Sequence, residues 1–242
     1  MTAAEIEAME RATVAAVAPP EVLEIGGWLV PLDDTSVGRA KSAVPLSHTP
    51  SFDALPQILA AFEARGLASS LRIADTPSLE DARNYLTEQG FHAYKPTLVK
   101  VGDVDRLAAF ADGEVELMTT PDDGWASVFL GEGFDPQDGA QRVRVLKRSP
   151  DAVYAAVRKD GRTLAVGAAS FGHGWGGIHG MRTLPAARGR GHAGAILAAF
   201  GREMQRRGIA RVQLQVEEPN PARSLYRKAG FEAAWRYLYW VR

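Results

Sequence analysis

The sequence predicts a mixed α/β fold that is built from two similar halves. Two observations carry this prediction: helix-like and strand-like segments alternate along the 242 residues, and a segment of the first half can be aligned with a segment of the second. We therefore expect two tandem domains, residues 1–112 and 113–242, each with a mostly antiparallel sheet flanked by helices.

The first half contains three predicted helices. Helical spacing of apolar residues predicts the first helix, which Pro19 and Pro20 stop. Two short strands, WLVPL and RAKSAVPL, follow on either side of the turn-rich DDTSVG. The remaining segments are the helix FDALPQILAAFEARG, the strand SSLRIAD, the helix SLEDARNYLTEQG and the long strand FHAYKPTLVKV.

The second half begins with the strand VELMT and two helical segments, DGWASVFLGE and DGAQRVRVLK. The strands AVYAAVRKD and RTLAVGAAS meet at Asp160-Gly161, a pair that favours a tight hairpin turn. IHGMRTL is the next strand, and Pro185 closes it. The last segments are an amphipathic helix that ends at Gly208, the alternating strand RVQLQVE, the helix NPARSLYRKAG and the aromatic strand FEAAWRYLYWV.

The internal repeat pairs Gly66 with Gly208, and Gly90-Phe91 with Gly230-Phe231, in the same order of helix end, strand, proline, helix and strand. Extended backwards, the alignment places LSHTPSF opposite RGRGHAG, the segment Arg188–Gly194. The earlier segment has no glycine, and its Pro50 has no backbone donor. We therefore expect a phosphate-binding loop in the second half only, with a degenerate copy in the first.

Composition excludes several classes of function. The formal net charge of -1 gives no support for nucleic-acid or acidic-membrane binding, and the absence of cysteine excludes a thiol nucleophile and a cysteine-ligated zinc site. No apolar run approaches the roughly 18 residues of a membrane span, and the N-terminus has no signal-peptide pattern. We expect a soluble, cytoplasmic protein without a nucleic-acid or membrane partner.

The segment RGRGHAG contains G-x-G-x-x-G between a predicted strand and a predicted helix, which is suitable for an anion at a helix N-terminus. A dinucleotide site would need a complete doubly wound sheet around it, but only one helix and one strand follow RVQLQVE. Arg188 and Arg190 favour a phosphate-rich ligand. A plain helix start with solvated arginines is the alternative.

The same segment resembles one known family. R-G-R-G-H-A is similar to R/Q-x-x-G-x-G/A, the acyl-CoA pyrophosphate loop of the GNAT N-acetyltransferases, and M-R-T-L-P precedes it where that family has L-x-V-x-P. Downstream, LQVEEPNPARSLYRKAGF resembles the family's order of strand, asparagine, alanine, Leu-Tyr and Gly-Phe. The resemblance covers about residues 114–242. With the repeat, the chain resembles the tandem members in which one copy has lost its cofactor loop.

The resemblance implies acetyl-CoA as co-substrate and no metal. The backbone of the splayed strand end would pair with the pantetheine arm. The segment RGRGHAG of residues 188–194, the glycine loop, would bind the pyrophosphate. Asn220 would cap the last helix while touching the cofactor. The residues implied to contact the cofactor are Met181, Arg182, Thr183, Arg188, Gly189, Arg190, Gly191, His192, Ala193, Gly194, Asn220, Ala222 and Tyr226.

The implied reaction is direct transfer of acetyl to a primary amine in a ternary complex. Tyr226 occupies the place of the family's general acid, and the repeat pairs it with Leu86, so packing alone would not require a tyrosine. The glutamate that many relatives use as a base is missing from I-H-G-M, which makes His179 the candidate, since imidazole titrates near neutral pH. A purely structural role for His179 stays open, with His173 and Glu217 as rival bases.

The acceptor is the part that the sequence describes least. We expect a small-molecule or peptide amine, bound near Trp125, Phe129, Phe134 and the loop FGHGWGG. The oligomeric state is open, with a homodimer as one option. A non-catalytic CoA-binding or scaffolding protein is the alternative function, and a nucleotide-dependent dehydrogenase is a third that the short remaining chain disfavours.

Overall fold

The computed structural model describes all residues 1–242 as a mixed α/β fold. The helices are α1 (Ala3–Ala15), α2 (Leu55–Glu63), α3 (Glu80–Glu88), α4 (Val104–Ala108), α5 (Asp123–Leu130), α6 (Pro136–Leu146), α7 (His192–Arg206) and α8 (Arg223–Lys228). The strands are β1 (Glu21–Ile25), β2 (Trp28–Leu32), β3 (Val44–Pro45), β4 (Ser70–Ala74), β5 (His92–Asp103), β6 (Glu116–Met118), β7 (Val153–Lys159), β8 (Arg162–Gly172), β9 (Trp175–Thr183), β10 (Arg211–Glu217) and β11 (Glu232–Val241). None of the helices is both long and apolar enough to span a membrane.

The predicted elements are mostly confirmed, with three differences. The strand β1 was not predicted, and it pairs with β2 through Gly26 and Gly27, which both have positive φ angles of 57° and 80°. The predicted strand RAKSAVPL is a short 3₁₀ turn, Gly38–Ala40, followed by the two residues of β3, and Ser42 Oγ holds the turn by donating to the Gly38 carbonyl. The short helix α4 was also missed; Asp103 caps it.

One eight-stranded sheet runs through both halves, in the order β4-β11-β5-β10-β9-β8-β7-β6. All neighbouring pairs are antiparallel except β9 and β10. The strand β5 of the first half lies between β10 and β11 of the second, and β11 lies between β5 and β4. The prediction of a separate, mostly antiparallel sheet in each half is therefore not confirmed, because β5 and β11 each pair on both edges with strands of the other half. The remaining strands β1, β2 and β3 form a separate small sheet.

The segments that the repeat aligned have matching local geometry. Gly66 and Gly208 end α2 and α7 with φ angles of 65° and 70°, and Gly90 and Gly230 end α3 and α8 with φ angles of 81° and 92°. The amides of Phe91 and Phe231 each donate to the carbonyl five residues back, at 3.0 and 2.9 Å. Both helix ends thus close with the left-handed glycine motif that the sequence favours.

Alternation along the strands places helices on both faces of the sheet. Val153, Ala155 and Val157 of β7 pack in a cluster with α4, α7 and α8, whereas Tyr154 and Ala156 pack with α5 and α6. A third cluster joins α1, α2 and β4 of the first half to the aromatic residues of β11. Two of these clusters therefore contain residues of both halves.

Candidate active site

The parallel strands β9 and β10 separate partway along their length. Their pairing runs from Gly176 opposite Val212 to Ile178 opposite Leu214, although β9 continues to Thr183 and β10 continues to Glu217. Beyond Ile178, β9 remains paired with β8 and β10 remains paired with β5. The edges of β9 and β10 that face each other are therefore free, and they form the two walls of a cleft.

A β-bulge directs the end of β9 into this cleft. The register to β8 shifts between Val166 and Ala168, where β9 has an extra residue near Gly180 and Met181. Gly180 has a φ angle of 57°, and a Cβ atom there would lie 2.6 Å from Leu146 Cδ1. Glycine is required at this position by both conformation and space.

The segment Arg188–Gly194 follows β9 and begins α7, as predicted. Gly189 and Gly191 have φ angles of 77° and 83°, and a Cβ atom at either position would meet no protein atom within 4 Å. The first amides of α7 have no partner within the helix and carry its partial positive charge. Gly194 lies beside the first half of the chain, where a Cβ atom would meet Phe110 Cε1 at 3.4 Å, an ordinary contact distance.

The structure brings His179 and every residue predicted to contact the cofactor to one cleft with a volume of about 1160 Å³. Its lining includes His179, Met181, Arg182, Thr183, Arg188, Gly189, Arg190, Gly191, His192, Ala193, Gly194, Asn220, Ala222 and Tyr226. These residues come from β9, the glycine loop, α7 and the segment around α8, which are far apart in the sequence.

The lining also satisfies a geometric test for acyl-CoA. A gap between two strand edges offers backbone donors and acceptors to a narrow, amide-containing arm, and the open space beside Gly189 and Gly191 allows a phosphate to approach the main chain. Arg188 and Arg190 are exposed at the mouth of this loop. The donor set therefore fits an extended thioester cofactor with a pyrophosphate group.

Tyr226 lies on α8 with its ring packed edge-on against Phe231, at a centroid distance of 6.1 Å. Burial raises the pKa of Tyr226 to about 12. Its hydroxyl has no hydrogen-bond partner within the chain, unlike the hydroxyls of Tyr154 and Tyr237, which donate to Leu146 and Gln215. The side chain thus serves in packing while its hydroxyl remains available to the cleft.

Asn220 does not form the direct helix cap that the sequence suggested. Its Oδ1 atom accepts a hydrogen bond of 2.9 Å from the Ala222 amide, and α8 begins one residue later. The side chain therefore holds the turn that leads into α8, and Ala222 occupies the cap position with helical backbone angles.

His179 is buried and has both ring nitrogens engaged. Arg39 Nη1 lies 3.1 Å from Nδ1, and Ser170 Oγ lies 2.8 Å from Nε2. Because a guanidinium can only donate, Nδ1 must be the acceptor and Nε2 must carry the proton. Burial, with a smaller contribution from Arg39, lowers the pKa of His179 well below its usual value. As a base, the ring would first have to release Arg39.

The rival bases are placed differently. His173 lies in the turn between β8 and β9 with a φ angle of 52°, and it does not line the cleft. Glu217 does line the cleft, where its carboxylate pairs with Lys95 Nζ at 3.0 Å. The loop FGHGWGG, which was expected near the acceptor, therefore lies outside the cleft, because β9 runs from that turn into the site.

Phe129 and Phe134 line the cleft as expected, and both flank the Arg182 guanidinium, whose carbon lies 5.3 and 4.0 Å from the ring centroids. Trp125 is instead a core residue, with its indole nitrogen donating to the Gly167 carbonyl at 3.1 Å. The aromatic acceptor region is thus smaller than the sequence suggested.

Several lining residues belong to the first half of the chain and were not predicted. They are Ser36, Val37, Gly38, Arg39, Lys95 and Thr97. The only local signal among them is the turn-rich composition around Ser36. Lys95 and Thr97 reach the cleft through the pairing of β5 with β10, and the loop of Ser36 and Arg39 reaches it through the contacts of Ser36 with α6. The cleft is therefore built by both halves.

Comparison with known proteins identifies the architecture. A family model described as "Probable histone acetyltransferase Rv0428c C-terminal" matches residues 3–240. Among solved structures, a GCN5-related N-acetyltransferase from Kribbella flavida has a TM-score of 0.71 and 18% identity, over 97% of this chain and 94% of that chain. Another from Sphaerobacter thermophilus has a TM-score of 0.59 and 17% identity, over 100% and 93%.

A tandem GNAT protein from the clavulanic acid biosynthesis pathway has a TM-score of 0.61 and 15% identity, over 98% of this chain and 95% of that chain. No curated protein matches the sequence. At these identities the solved structures establish a common fold. The mixed α/β fold of the GNAT type that the sequence motifs predicted is confirmed, whereas its division into two tandem domains is not.

Proposed function

Because the chain belongs to the histone acetyltransferase Rv0428c C-terminal family and has the GNAT fold, we propose that it transfers acetyl from acetyl-CoA to a primary amine. The observation that carries this proposal is the cleft itself. One cavity joins the free edges of β9 and β10, the glycine loop and the Tyr226 hydroxyl.

The pantetheine arm would lie along the free edge of Met181, Arg182 and Thr183, with the pyrophosphate at residues 188–194. Acetyl-CoA supplies a thioester carbonyl, which backbone amides near the bulge can polarise. The acceptor nitrogen bonds to the acetyl carbon, the carbon–sulfur bond breaks, and Tyr226 gives its proton to the departing thiolate. The raised pKa keeps the hydroxyl protonated until the thiolate forms, and it also makes the hydroxyl a weaker acid, so close contact with the sulfur is needed for the transfer.

The acceptor amine must lose a proton before it attacks. His179 remains our candidate from the sequence, yet its only lone pair accepts from Arg39. Glu217 is the carboxylate on the facing strand, and a water between Glu217 and the amine would be a second route. A loss of kcat in variants of His179 would favour His179 as the base, whereas an unchanged kcat would favour the route through Glu217.

We further infer that the chain arose as a tandem GNAT pair, with residues 1–112 as a degenerate copy and residues 113–242 as the copy that binds acetyl-CoA. The matching closure of α3 and α8 supports this. So does the segment LSHTPSF, which precedes α2 as the glycine loop precedes α7 but lines no part of the cleft.

Calorimetry against acetyl-CoA, CoA and NAD tests the cofactor, and a thiol-release assay with a panel of amines tests catalysis. We expect binding of acetyl-CoA and CoA, no binding of NAD, and acceptor-dependent release of thiol. Binding without release on any amine would favour the scaffolding alternative. Failure of both CoA compounds to bind would refute the proposal.

A further inference from the structure

The cleft continues beyond the glycine loop to an end that carries excess positive charge. Arg39, Arg142 and Arg182 line this end. Asp138 is the one carboxylate that pairs with any of them, at 2.6 Å from Arg142 Nε and 3.7 Å from Arg182 Nη2. Three guanidinium groups thus face one carboxylate, which leaves this end suited to an anion.

Arg39 is the least compensated of the three. No carboxylate lies within ion-pair distance of it, and its hydrogen bond within the chain is the one to His179 Nδ1. Burial lowers its pKa, but a guanidinium keeps its charge in proteins. Arg39 is half-buried and lines the cleft. A partly desolvated charge without a counter-ion is costly, so a ligand that supplies one is bound favourably.

The guanidinium of Arg39 is held by His179, and the loop that precedes Arg39 is held by the second half of the chain. Ser170 and His179 form a hydrogen-bonded pair beneath it, at 2.8 Å. The preceding loop is fixed to α6, where the Ser36 hydroxyl donates to Asp138 at 2.9 Å and the Ser36 amide donates to Gln141 at 2.5 Å. Asp33 and Asp34 of the same loop pair with Arg148 and Arg144 of the second half. A preorganised donor loses little freedom when it binds.

We propose that Arg39 recognises a carboxylate on the acceptor, so that the substrate is an amine that also bears an acidic group, either a free amino acid or an acidic peptide. This inference rests on the proposed function, since it concerns the acceptor end of the same cleft. The cofactor phosphates have their own arginines at the loop of residues 188–194. A lysine-rich peptide, which the family's description would suggest, is disfavoured because its charges have the same sign as this end of the cleft.

In this arrangement His179 is a positioning residue for Arg39. Asparagine at this place can still accept from the guanidinium, whereas phenylalanine cannot. We expect His179→Phe to raise the acceptor KM at least about tenfold with kcat nearly unchanged. His179→Asn should have an acceptor KM much closer to that of the wild-type protein. A general base would instead give kcat losses of about 100-fold or more in both variants, with a changed pH profile, and that result would overturn the positioning role.

The main experiment compares matched acceptors at saturating acetyl-CoA. The probes are free amino acids, their carboxamides, and C-terminally amidated dipeptides with glutamate or glutamine as the second residue. We expect the best carboxylate acceptor to exceed its amide counterpart in kcat/KM, and Arg39→Met to remove this preference with a loss of about 100-fold for the carboxylate alone. Arg39→Lys should keep only part of it, because lysine lacks the bidentate fork. A preference for the glutamate dipeptide over the glutamine dipeptide would indicate an acidic peptide, and a preference confined to free amino acids would indicate an amino acid.

Arg144→Met is the matched control, since Arg144 lies on α6 near the same loop but is exposed and does not line the cleft. It should retain the wild-type preference. Equal kcat/KM for carboxylates and amides in the wild-type protein would overturn the inference while leaving acetyl transfer intact. The wild-type comparison decides the question even if Arg39→Met fails to fold.

A binding measurement separates this inference from the proposed function. N-acetyl amino acids and their amides are titrated calorimetrically into CoA-loaded protein, which needs no turnover. Carboxylate binding that is lost in Arg39→Met would support the inference even if no amine were acetylated. Absence of carboxylate binding to the wild-type protein, together with active transfer to neutral amines, would refute it.

Discussion

At the residue scale, the Tyr226 hydroxyl stays protonated well above neutral pH, because burial raises its pKa to about 12. We expect Tyr226→Phe to lower kcat by about 100-fold, which is within the usual contribution of a general acid, while the acetyl-CoA Kd stays at the wild-type value. Thiol release and calorimetry measure the two quantities. Tyr85→Phe is the control, since Tyr85 is exposed on α3 of the first half. An unchanged kcat in Tyr226→Phe would mean that the residue serves only in packing.

Gly191 and Gly208 begin and end the same helix and allow a matched comparison. Their φ angles are 83° and 70°, and a Cβ atom at either would meet no protein atom within 4 Å. Each substitution by alanine should therefore cost a similar free energy of unfolding, about 1 kcal/mol, from the left-handed conformation. Only Gly191→Ala should also weaken acetyl-CoA binding, because its methyl group would stand where phosphate approaches. Calorimetry checks this, and equal acetyl-CoA affinities in the two variants would place the phosphate elsewhere.

At the element scale, a buried ion pair connects α1 to β4. Glu10 Oε2 lies 2.6 Å from Arg72 Nη2, both side chains are almost fully buried, and the guanidinium carbon lies 5.0 Å from the Tyr237 ring centroid. Removing one partner leaves a buried charge without compensation, so Arg72→Met should lower the free energy of unfolding by about 3–5 kcal/mol. The double variant Glu10→Leu with Arg72→Met should recover much of this loss. Urea unfolding of the wild type, Glu10→Leu, Arg72→Met and the double variant measures the coupling, and additive losses would contradict it.

The sequence predicts single elements here much better than their pairing. Hydrophobic periodicity locates α7 and β10 because each spans several turns or alternations, while β1 and α4 are too short to give a clear period. The glycine loop can be predicted from the sequence because all of its functional residues lie within seven consecutive positions. The role of Arg39 cannot be predicted in this way, because its contact with His179 spans 140 positions and depends on tertiary structure.

At the scale of the whole molecule, buried His179 makes stability depend on pH. Its folded pKa lies well below 6.5, whereas the unfolded chain titrates near 6.5, so on acidification the unfolded state takes up a proton that the folded state does not. Stability is therefore lost as pH falls below about 6.5, by about 1.4 kcal/mol per pH unit for each such histidine, and His48 acts in the same direction through burial. Glu203 has a pKa of about 2, and it adds to the loss of stability only when the pH falls below the ordinary glutamate pKa of 4.5.

We expect the free energy of urea unfolding to fall between pH 7.0 and 5.5 by about 1–2 kcal/mol, and His179→Asn to flatten part of this slope. The same substitution at exposed His92 controls for loss of a surface histidine. A wild-type profile that is flat across this range would show that His179 gains its proton in the folded protein.

The shared sheet makes the two halves depend on each other for folding. Residues 113–242 alone would lack β5, which leaves the facing edges of β10 and β11 without partners, and residues 1–112 alone would lack β11 between β4 and β5. Unpaired interior strand edges expose backbone donors and acceptors and apolar side chains, and such fragments aggregate or remain unfolded.

We expect neither fragment to show a cooperative thermal transition, and an equimolar mixture refolded together to regain both the transition and acetyl-CoA binding. The full chain, cleaved between residues 112 and 113 after folding, is the control, because no helix or strand spans that point. Cooperative unfolding of residues 113–242 alone would show that the second half completes its sheet without β5, and the acceptor end of the cleft would then have to form without Arg39 and Lys95.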